Sequence, residues 1–287
     1  MIPQDLSKRR IVVTGGAGFI GSELVRQLVA AGSRPVVIDN LVNGKRENLA
    51  EVEDRIDLQV ADIRDADRVR ALLSGADLVL HLACLGVRHS IHSPLENHAV
   101  NASATLELLE AARSLGVQRF VYVSSSEVYG TARHVPMTED HPTVPSTVYG
   151  SSKLAGECYA RAYWETYAYQ TVVVRPFNSF GPRSHHEGDS GEVIPKFMLR
   201  ALAGEPLIVF GDGSQTRDFT YVADTARGIL GSGLADAMVG ETVNLGSGSE
   251  VTIRALADEV QSVVGSKTTV QHHAPRPGDV LRLCADS

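Results

Sequence analysis

The sequence predicts an α/β fold: a parallel sheet doubly wound by helices, with a smaller lobe formed by the C-terminal part. Three observations predict it. Short β-branched runs alternate with helical stretches as far as Pro176, a glycine-rich turn joins the first run to the first helix, and the alternation breaks after Pro176.

Arg10–Thr14 reads as the first strand, and Ile20–Ala31 as a helix with Leu24, Val25, Leu28 and Val29 on one face. Arg34–Asp39, Ile56–Val60 and Asp77–Leu82 are the next three strands. Pro94–Ser114 reads as one long helix, Arg119–Ser124 as the fifth strand, Val148–Tyr167 as a second long helix and Thr171–Pro176 as the sixth strand. Such near-continuous apolar runs belong to parallel strands covered on both faces, joined by right-handed crossovers. Beyond Pro176 the spacing predicts a loop over Asn178–Gly191, a helix over Val193–Leu202 and a strand over Leu207–Phe210. A helix over Val222–Leu234, a strand over Thr242–Asn244 and a helix over Ile253–Val264 follow. The division expected is a nucleotide-binding domain over 1–176 and a mainly substrate-binding lobe over 177–287, with some elements returning to the main sheet.

Composition narrows the function. The 287 residues are 43% apolar, enough for a packed core. A net charge of −7 argues against nucleic acid as a partner, while leaving room for local arginines to hold a small anion. No apolar run approaches the roughly 20 residues that span a bilayer, so no membrane partner is expected. Met1–Asp5 lacks the apolar core of a signal peptide, and a cytoplasmic location is expected. Cys84, Cys158 and Cys284 form no CxxC and read as free buried thiols. His185-His186 and His272-His273 read as loop histidines, with no metal expected.

Gly15, Gly18 and Gly21 are spaced GxxGxxG between a strand and a helix, the setting of a Rossmann-type dinucleotide site. Glycine permits the tight turn and lets backbone N–H groups approach a pyrophosphate at the positive end of the helix. Asp39 ends the second strand, where a carboxylate accepts hydrogen bonds from the adenosine ribose and repels a 2′-phosphate. The cofactor expected is therefore NAD rather than NADP. Asn40, Asn43 and Gly44 add polar and turn residues beside it, and Asp62 is placed to meet the adenine amino group.

Tyr149 and Lys153 form YxxxK, one helical turn apart on one face. A neighbouring ammonium and a cationic nicotinamide would lower the phenol's pKa and let it take a proton from a substrate hydroxyl. Ser124-Ser125-Ser126-Glu127 closes the fifth strand and supplies hydroxyls that bridge substrate and phenol.

With these residues in place, the chain resembles the NAD-dependent sugar-nucleotide epimerase/dehydratase family of extended short-chain dehydrogenases/reductases. The resemblance runs from TGGAGFIG (Thr14–Gly21) through Asp39, His81-Leu82-Ala83, Asn101, SSSEVYG and Tyr149-Gly150-Ser151-Ser152-Lys153. It continues through Arg175-Pro176-Phe177-Asn178 and GDGSQTRDFTYV (Gly211–Val222) to Arg276-Pro277-Gly278-Asp279. It implies that Phe19, Ile20, Asp39, Asn40, Asn43, Gly44, Asp62, Ile63, Leu82, Ala83, Asn101, Tyr149, Lys153 and Phe177 contact NAD. It implies that Asn178, Phe210, Arg217 and Arg276 form the nucleotide and diphosphate cradle, a role that suits arginine's planar fork, and Asp279 of the same motif as Arg276 is a further substrate-binding candidate. Family members dimerise through the two long helices, so a homodimer is expected. Relatives also run further past Arg282-Leu283-Cys284 than this chain does.

The resemblance further implies oxidation of the sugar at C4 to a transient ketone. The next step depends on residues near Glu127. Family dehydratases read Thr-Asp-Glu before Val-Tyr-Gly; here the triplet is Ser125-Ser126-Glu127, which counts against 4,6-dehydration. Uronate decarboxylases read Thr-Ser-Glu, with a partner arginine that Arg217 matches. In 4-epimerases a hydroxyl at the position of Ser125 partners the tyrosine. Gly86-Val87-Arg88 stands where some UDP-galactose epimerases carry lysine, and Arg88 or Arg183 is suited to a C6 carboxylate. The expected function is a 4-epimerase of UDP-hexoses or UDP-hexuronates, with Ser125, Ser126, Glu127, Tyr149 and Lys153 as the reactive set and Ser126 also touching substrate. The alternatives are a UDP-glucuronate decarboxylase, a 4,6-dehydratase, or a non-catalytic NAD-binding scaffold.

Overall fold

The structure, a computed structural model, describes residues 5–188, 191–276 and 278–287. Met1–Gln4 of the N-terminal segment, Asp189-Ser190 of the loop expected over Asn178–Gly191, and Pro277 lie outside the described residues.

The first half alternates strand and helix. β1 (Ile11–Thr14) leads into α1 (Phe19–Ala30), β2 (Val36–Asp39), a 3-10 segment (Arg46–Arg55) and β3 (Asp57–Val60). α2 (Ala66–Leu73), β4 (Leu78–His81), α3 (Val87–His92), α4 (Pro94–His98), α5 (Ala104–Ser114) and β5 (Arg119–Val123) follow, then α6 (Val148–Tyr167) and β6 (Gln170–Pro176). After β6 come β7 (Asn178–Phe180), α7 (Val193–Leu202), β8 (Leu207–Phe210), β9 (Thr216–Tyr221) and α8 (Val222–Leu234). The chain closes with β10 (Thr242–Leu245), β11 (Glu250–Thr252), α9 (Ile253–Val264) and β12 (Val270–His273).

Seven parallel strands form the main sheet in the order β10-β6-β5-β4-β1-β2-β3. Winding reverses between β1 and β4, which leaves a crevice beyond their carboxyl ends, where Thr14 pairs with His81. Alternate strand residues feed two cores. Val13, Val37, Leu80 and Val121 meet α1 and α8 through Leu24, Leu28 and Ile229. Val12, Val79, Phe120 and Tyr122 meet α2, α5 and α6 through Val69, Leu108 and Ala160. Burial of each such Leu or Phe contributes about 1.5–3 kcal/mol. β10 returns from the C-terminal part to pair with β6 (Val243 with Val174). The remaining strands form a small mixed sheet, β11-β9-β7, and a parallel pair, β12-β8, packed with α7 and α9 around Phe197, Leu207 and Val260.

The structure corrects several local expectations. The single helix over Pro94–Ser114 is interrupted by a π segment at Ala99–Ser103. There the side chains of Asn97 and Asn101 turn to the backbone of Leu85 instead of following a regular helical face. The loop over Asn178–Gly191 opens with β7, which pairs with the distant β9 and so carries no local signal. His272 and His273 belong to β12 rather than a loop. Of the thiols expected to be buried, Cys284 is buried, Cys84 is half-buried and Cys158 is exposed on α6. No helix among the described residues is long and apolar enough to cross a membrane.

Candidate active site

A cleft of about 1080 Å³ lies beyond the carboxyl ends of the main-sheet strands and is closed on one side by the small lobe. That is at the upper end of ordinary ligand cavities, roughly 300–1,000 Å³, and is room for two sizeable ligands. Every residue singled out from the sequence for cofactor, catalysis or substrate lines it, except Asn101 and Arg183.

At one end the backbone forms a cradle. Gly15 has φ +72°, and a Cβ there would sit 2.6 Å from the Ala83 nitrogen; a Cβ on Gly21 would sit 2.1 Å from the Gly15 carbonyl. Only glycine fits these turns. Gly18 caps α1 without a side-chain hydrogen bond, so the first-turn N–H groups of Phe19, Ile20 and Gly21 face the cleft without intrahelical acceptors. This space suits a pyrophosphate. Asp39 is buried and accepts from Ala17 N and Leu41 N, both at 2.9 Å. Burial pushes its carboxyl up, and these two bonds oppose the rise. A Cβ on Gly44 would touch the Asp39 carboxylate, so glycine keeps that approach open.

Asp62 lines the same end of the cleft. Arg64 grips its carboxylate with two bonds, 2.9 and 2.8 Å, and Asn40 adds a third at 3.0 Å, which holds the acid well below the usual range. An adenine amino group placed there meets a carboxylate already held by Arg64. Asn101 is buried away from the cleft; its amide clamps Leu85 N and Leu85 O, each at 2.8 Å, and so fixes the loop that carries Leu82 and Ala83.

The centre of the cleft joins α6 to the end of β5. Thr147 caps α6 by accepting from Gly150 N at 3.1 Å, which places Tyr149 in the first turn. Ser125 stands beside the Tyr149 hydroxyl, and its side chain opposes a large upward push on the phenol. Burial causes most of that push, and the neighbouring Cys84 and Glu127 add to it. The Lys153 ammonium donates to the Val123 carbonyl at 2.5 Å and lies 4.6 Å above the Tyr122 ring. Burial draws the Lys153 pKa down, while Cys84 and Glu157 hold it up. Ser126 is buried at the cleft wall. Ser124 turns away and donates to Glu157 at 2.5 Å. Cys84, read from sequence only as a free thiol, stands beside the phenol; its place after His81-Leu82-Ala83 is the one sign of that.

The far end is charged. Arg217 pairs with Asp279 at 2.5 Å. Burial raises the Glu127 carboxyl, Arg217 and Arg88 oppose the rise, and Asp279 adds to it. Arg276 stacks on Phe210 at 3.7 Å. Asn178 presents a buried carbonyl oxygen, Oδ1, that has no hydrogen-bond partner. Arg183 is elsewhere: it has φ +69° and is held by Glu23 (2.5 Å) and Ser22 (3.2 Å) on α1, so it does not reach the cleft. Sequence reasoning also missed Glu192, a half-buried acid at the start of α7 that faces the cleft and is pushed up to about 7 by burial.

A parallel sheet with a glycine cradle at its switch point and a Ser–Tyr–Lys set at the strand ends defines an NAD-binding enzyme of the short-chain dehydrogenase type. Residues 11–246 match the model of the NAD-dependent epimerase/dehydratase family, and the chain belongs to that family. A UDP-glucose 4-epimerase of Mycolicibacterium smegmatis is 38% identical over 97% of this chain and 90% of its own length. A UDP-N-acetylglucosamine 4-epimerase from Methanobrevibacter ruminantium, solved with UDP-N-acetylmuramic acid, superposes with a TM-score of 0.92 at 35% identity, covering 98% of this chain and 90% of that one. A dTDP-glucose 4,6-dehydratase from Streptomyces venezuelae, solved with NAD bound, gives 0.91 at 36% identity, covering 97% and 88%. The cofactor is NAD, and the glycine cradle fits it: glycines 15 and 21 allow the close backbone packing that turns the first N–H groups of α1 into the cleft.

Proposed function

We propose that this protein is a 4-epimerase of nucleotide sugars, acting on a UDP-hexose or UDP-hexuronate through a transient 4-keto sugar with Tyr149 as the base. The observation that carries the reading is the meeting of Ser125, Tyr149 and Lys153 on the cleft wall, with a serine rather than an acid at position 126. The glycine cradle, Asp39 and Asn43 would hold NAD, which when bound accepts hydride from the sugar carbon and returns it. Tyr149 takes the C4 hydroxyl proton and gives it back, with Ser125 sharing that hydrogen bond. Lys153, held by Val123, fixes the nicotinamide ribose. Arg217, Arg276 and Asn178 hold the nucleotide diphosphate while the sugar turns over.

The test is to incubate the protein with UDP-glucose and with UDP-glucuronate, without added reductant, and to resolve the products. A C4 epimer is expected. A pentose nucleotide with CO₂ replaces this reading by decarboxylation, which the cluster of Glu127, Arg217 and Arg88 favours as the second reading. A 4-keto-6-deoxy product means dehydration, and no product with NAD retained means a scaffold.

Two coarser proposals accompany this one. Residues 1–176 serve the cofactor and 177–287 mainly the substrate. A second copy covers the outer faces of α4, α5 and α6, where Leu95 is 85% exposed and Leu106, Val148 and Tyr167 are also exposed. Light scattering on the eluting protein is expected to give twice the 30.8 kDa chain mass.

A further inference from the structure

Tyr149, Lys153 and Glu157 are spaced by four on α6 and form one stripe along the helix. Three consecutive residues at the end of β5 meet it: Ser125 stands beside Tyr149, the Val123 carbonyl accepts from Lys153 Nζ at 2.5 Å, and Ser124 Oγ donates to Glu157 at 2.5 Å. The third contact has no part in the chemistry derived above. Glu157 is wholly buried. Its carboxylate also accepts two bonds from Arg175 of β6, at 2.9 and 2.7 Å, and one from Arg161 of its own helix at 3.2 Å. Arg175 is itself 3% exposed and is tied further to the Tyr129 hydroxyl at 2.7 Å.

We infer that Glu157 is a positioning residue: it clamps the Ser124-Ser125 strand end to the Tyr149–Lys153 face and places a negative charge beside the Lys153 ammonium. The inference rests on the reading of Tyr149 and Lys153 as the working pair. Its physical basis is a count of buried charge. Lys153 and Arg175 are both buried cations, and Glu157 is the carboxylate that bonds Arg175 and acts on Lys153 from one helical turn away. The other groups around Lys153 are the Cys84 thiol after β4, the Tyr122 ring of β5, the Tyr149 phenol and His81 of β4. His81 is neutral at physiological pH: burial, with Lys153 adding to it, draws its pKa down to about 3. Around Glu157 stand Arg175, Arg161, Ser124 and the phenols of Tyr122 and Tyr129. Removing the Glu157 charge takes away a carboxylate that favours the charged form of Lys153 and leaves Arg175 without its counter-ion, and Lys153 then releases its proton at lower pH.

Glu157→Gln keeps an acceptor for Ser124 and removes the charge. Two readouts are taken. The first is the pH midpoint of Lys153, read by NMR from the side-chain Cε and Nζ shifts of the labelled, purified protein, which needs neither sugar turnover nor a reagent reaching the buried amine. The second is kcat and KM across pH. The expected result is a midpoint shifted to lower pH, an alkaline limb of kcat shifted the same way, and at least about a tenfold loss of kcat at neutral pH with KM within about twofold. Glu157→Gln/Arg175→Met removes the stranded cation and serves if the single variant does not fold, since buried pairs are often replaced by apolar groups without loss of stability. Its midpoint is expected between those of the parent and the single variant. A lower unfolding temperature with an unmoved midpoint in either variant overturns the inference and leaves Glu157 as the counter-ion of Arg175. A shifted midpoint in a protein that turns over no nucleotide sugar sustains the charge argument and removes the reading of function instead.

Discussion

At the cofactor end of the cleft the backbone forms the binding surface and the side chains are already satisfied; at the substrate end charged side chains face one another across elements far apart in sequence. Asp39 rests on two N–H groups from its own turn and the glycine loop. Arg217, by contrast, comes from β9, Asp279 from the segment after β12, Glu127 from the end of β5 and Arg88 from α3. A site made of backbone tolerates little change in chain geometry. A site made of opposed charges tolerates substitution of its members more gradually, and its selectivity can move without disturbing the fold.

The largest effect tests whether the two ends work separately. Tyr149→Phe removes the hydroxyl that stands beside Ser125 and leaves the ring in place. Conversion is expected to fall by about 10²–10⁴, while NAD remains with the purified protein, read by its absorbance after denaturation. Loss of NAD in the same variant would join the two regions and break the comparison. Next comes Gly21→Ala. Its Cβ meets backbone at 2.1 Å with no flexible side chain to yield. The expected cost is about 1–3 kcal/mol, seen as loss of bound NAD and a lower unfolding temperature together.

These two positions also mark how much was legible in advance. The glycine turn, Asp39, Tyr149 and Lys153 each announce themselves within a few residues of chain, because the strand-turn-helix that places them is local. The main-sheet strands were legible for the same reason: buried parallel strands are written as apolar runs. What sequence could not give were pairings made across distance. β7 finds β9, Arg183 finds Glu23 rather than the cleft, and Asp62 finds Arg64. An arginine in a loop carries no local sign of which acid it will meet. Glu157 is an intermediate case. Its spacing from Lys153 was visible, yet its importance depends on Ser124 and Arg175 arriving from two other strands.

Arg217→Lys tests the substrate end by itself. Lysine keeps the charge near Glu127 and loses the fork that holds Asp279. The expected outcome is a rise of about tenfold in KM for the nucleotide sugar, about 1.4 kcal/mol, with NAD content unchanged. A change confined to kcat would place Arg217 at the reacting carbon and favour the decarboxylase reading.

The smallest effect belongs to Glu192, whose side chain has no charged partner among the described residues. Burial raises its folded pKa from 4.5 to about 7. A carboxyl raised in this way contributes stability that is complete below the unfolded pKa and is lost as pH rises through about 7. Ionising it in the cleft costs about 1–2 kcal/mol once its partly wetted position is allowed for. Glu192→Gln is therefore expected to match the parent near pH 4.5 and to unfold a few degrees higher above pH 7, followed by thermal denaturation of the two proteins across that range. An equal difference at every pH would mean that packing, not charge, decides this position. A gap that opens with pH and closes when a nucleotide sugar is added would sharpen the contrast between the two ends, because bound substrate would then be supplying the partner that the folded chain withholds from this acid.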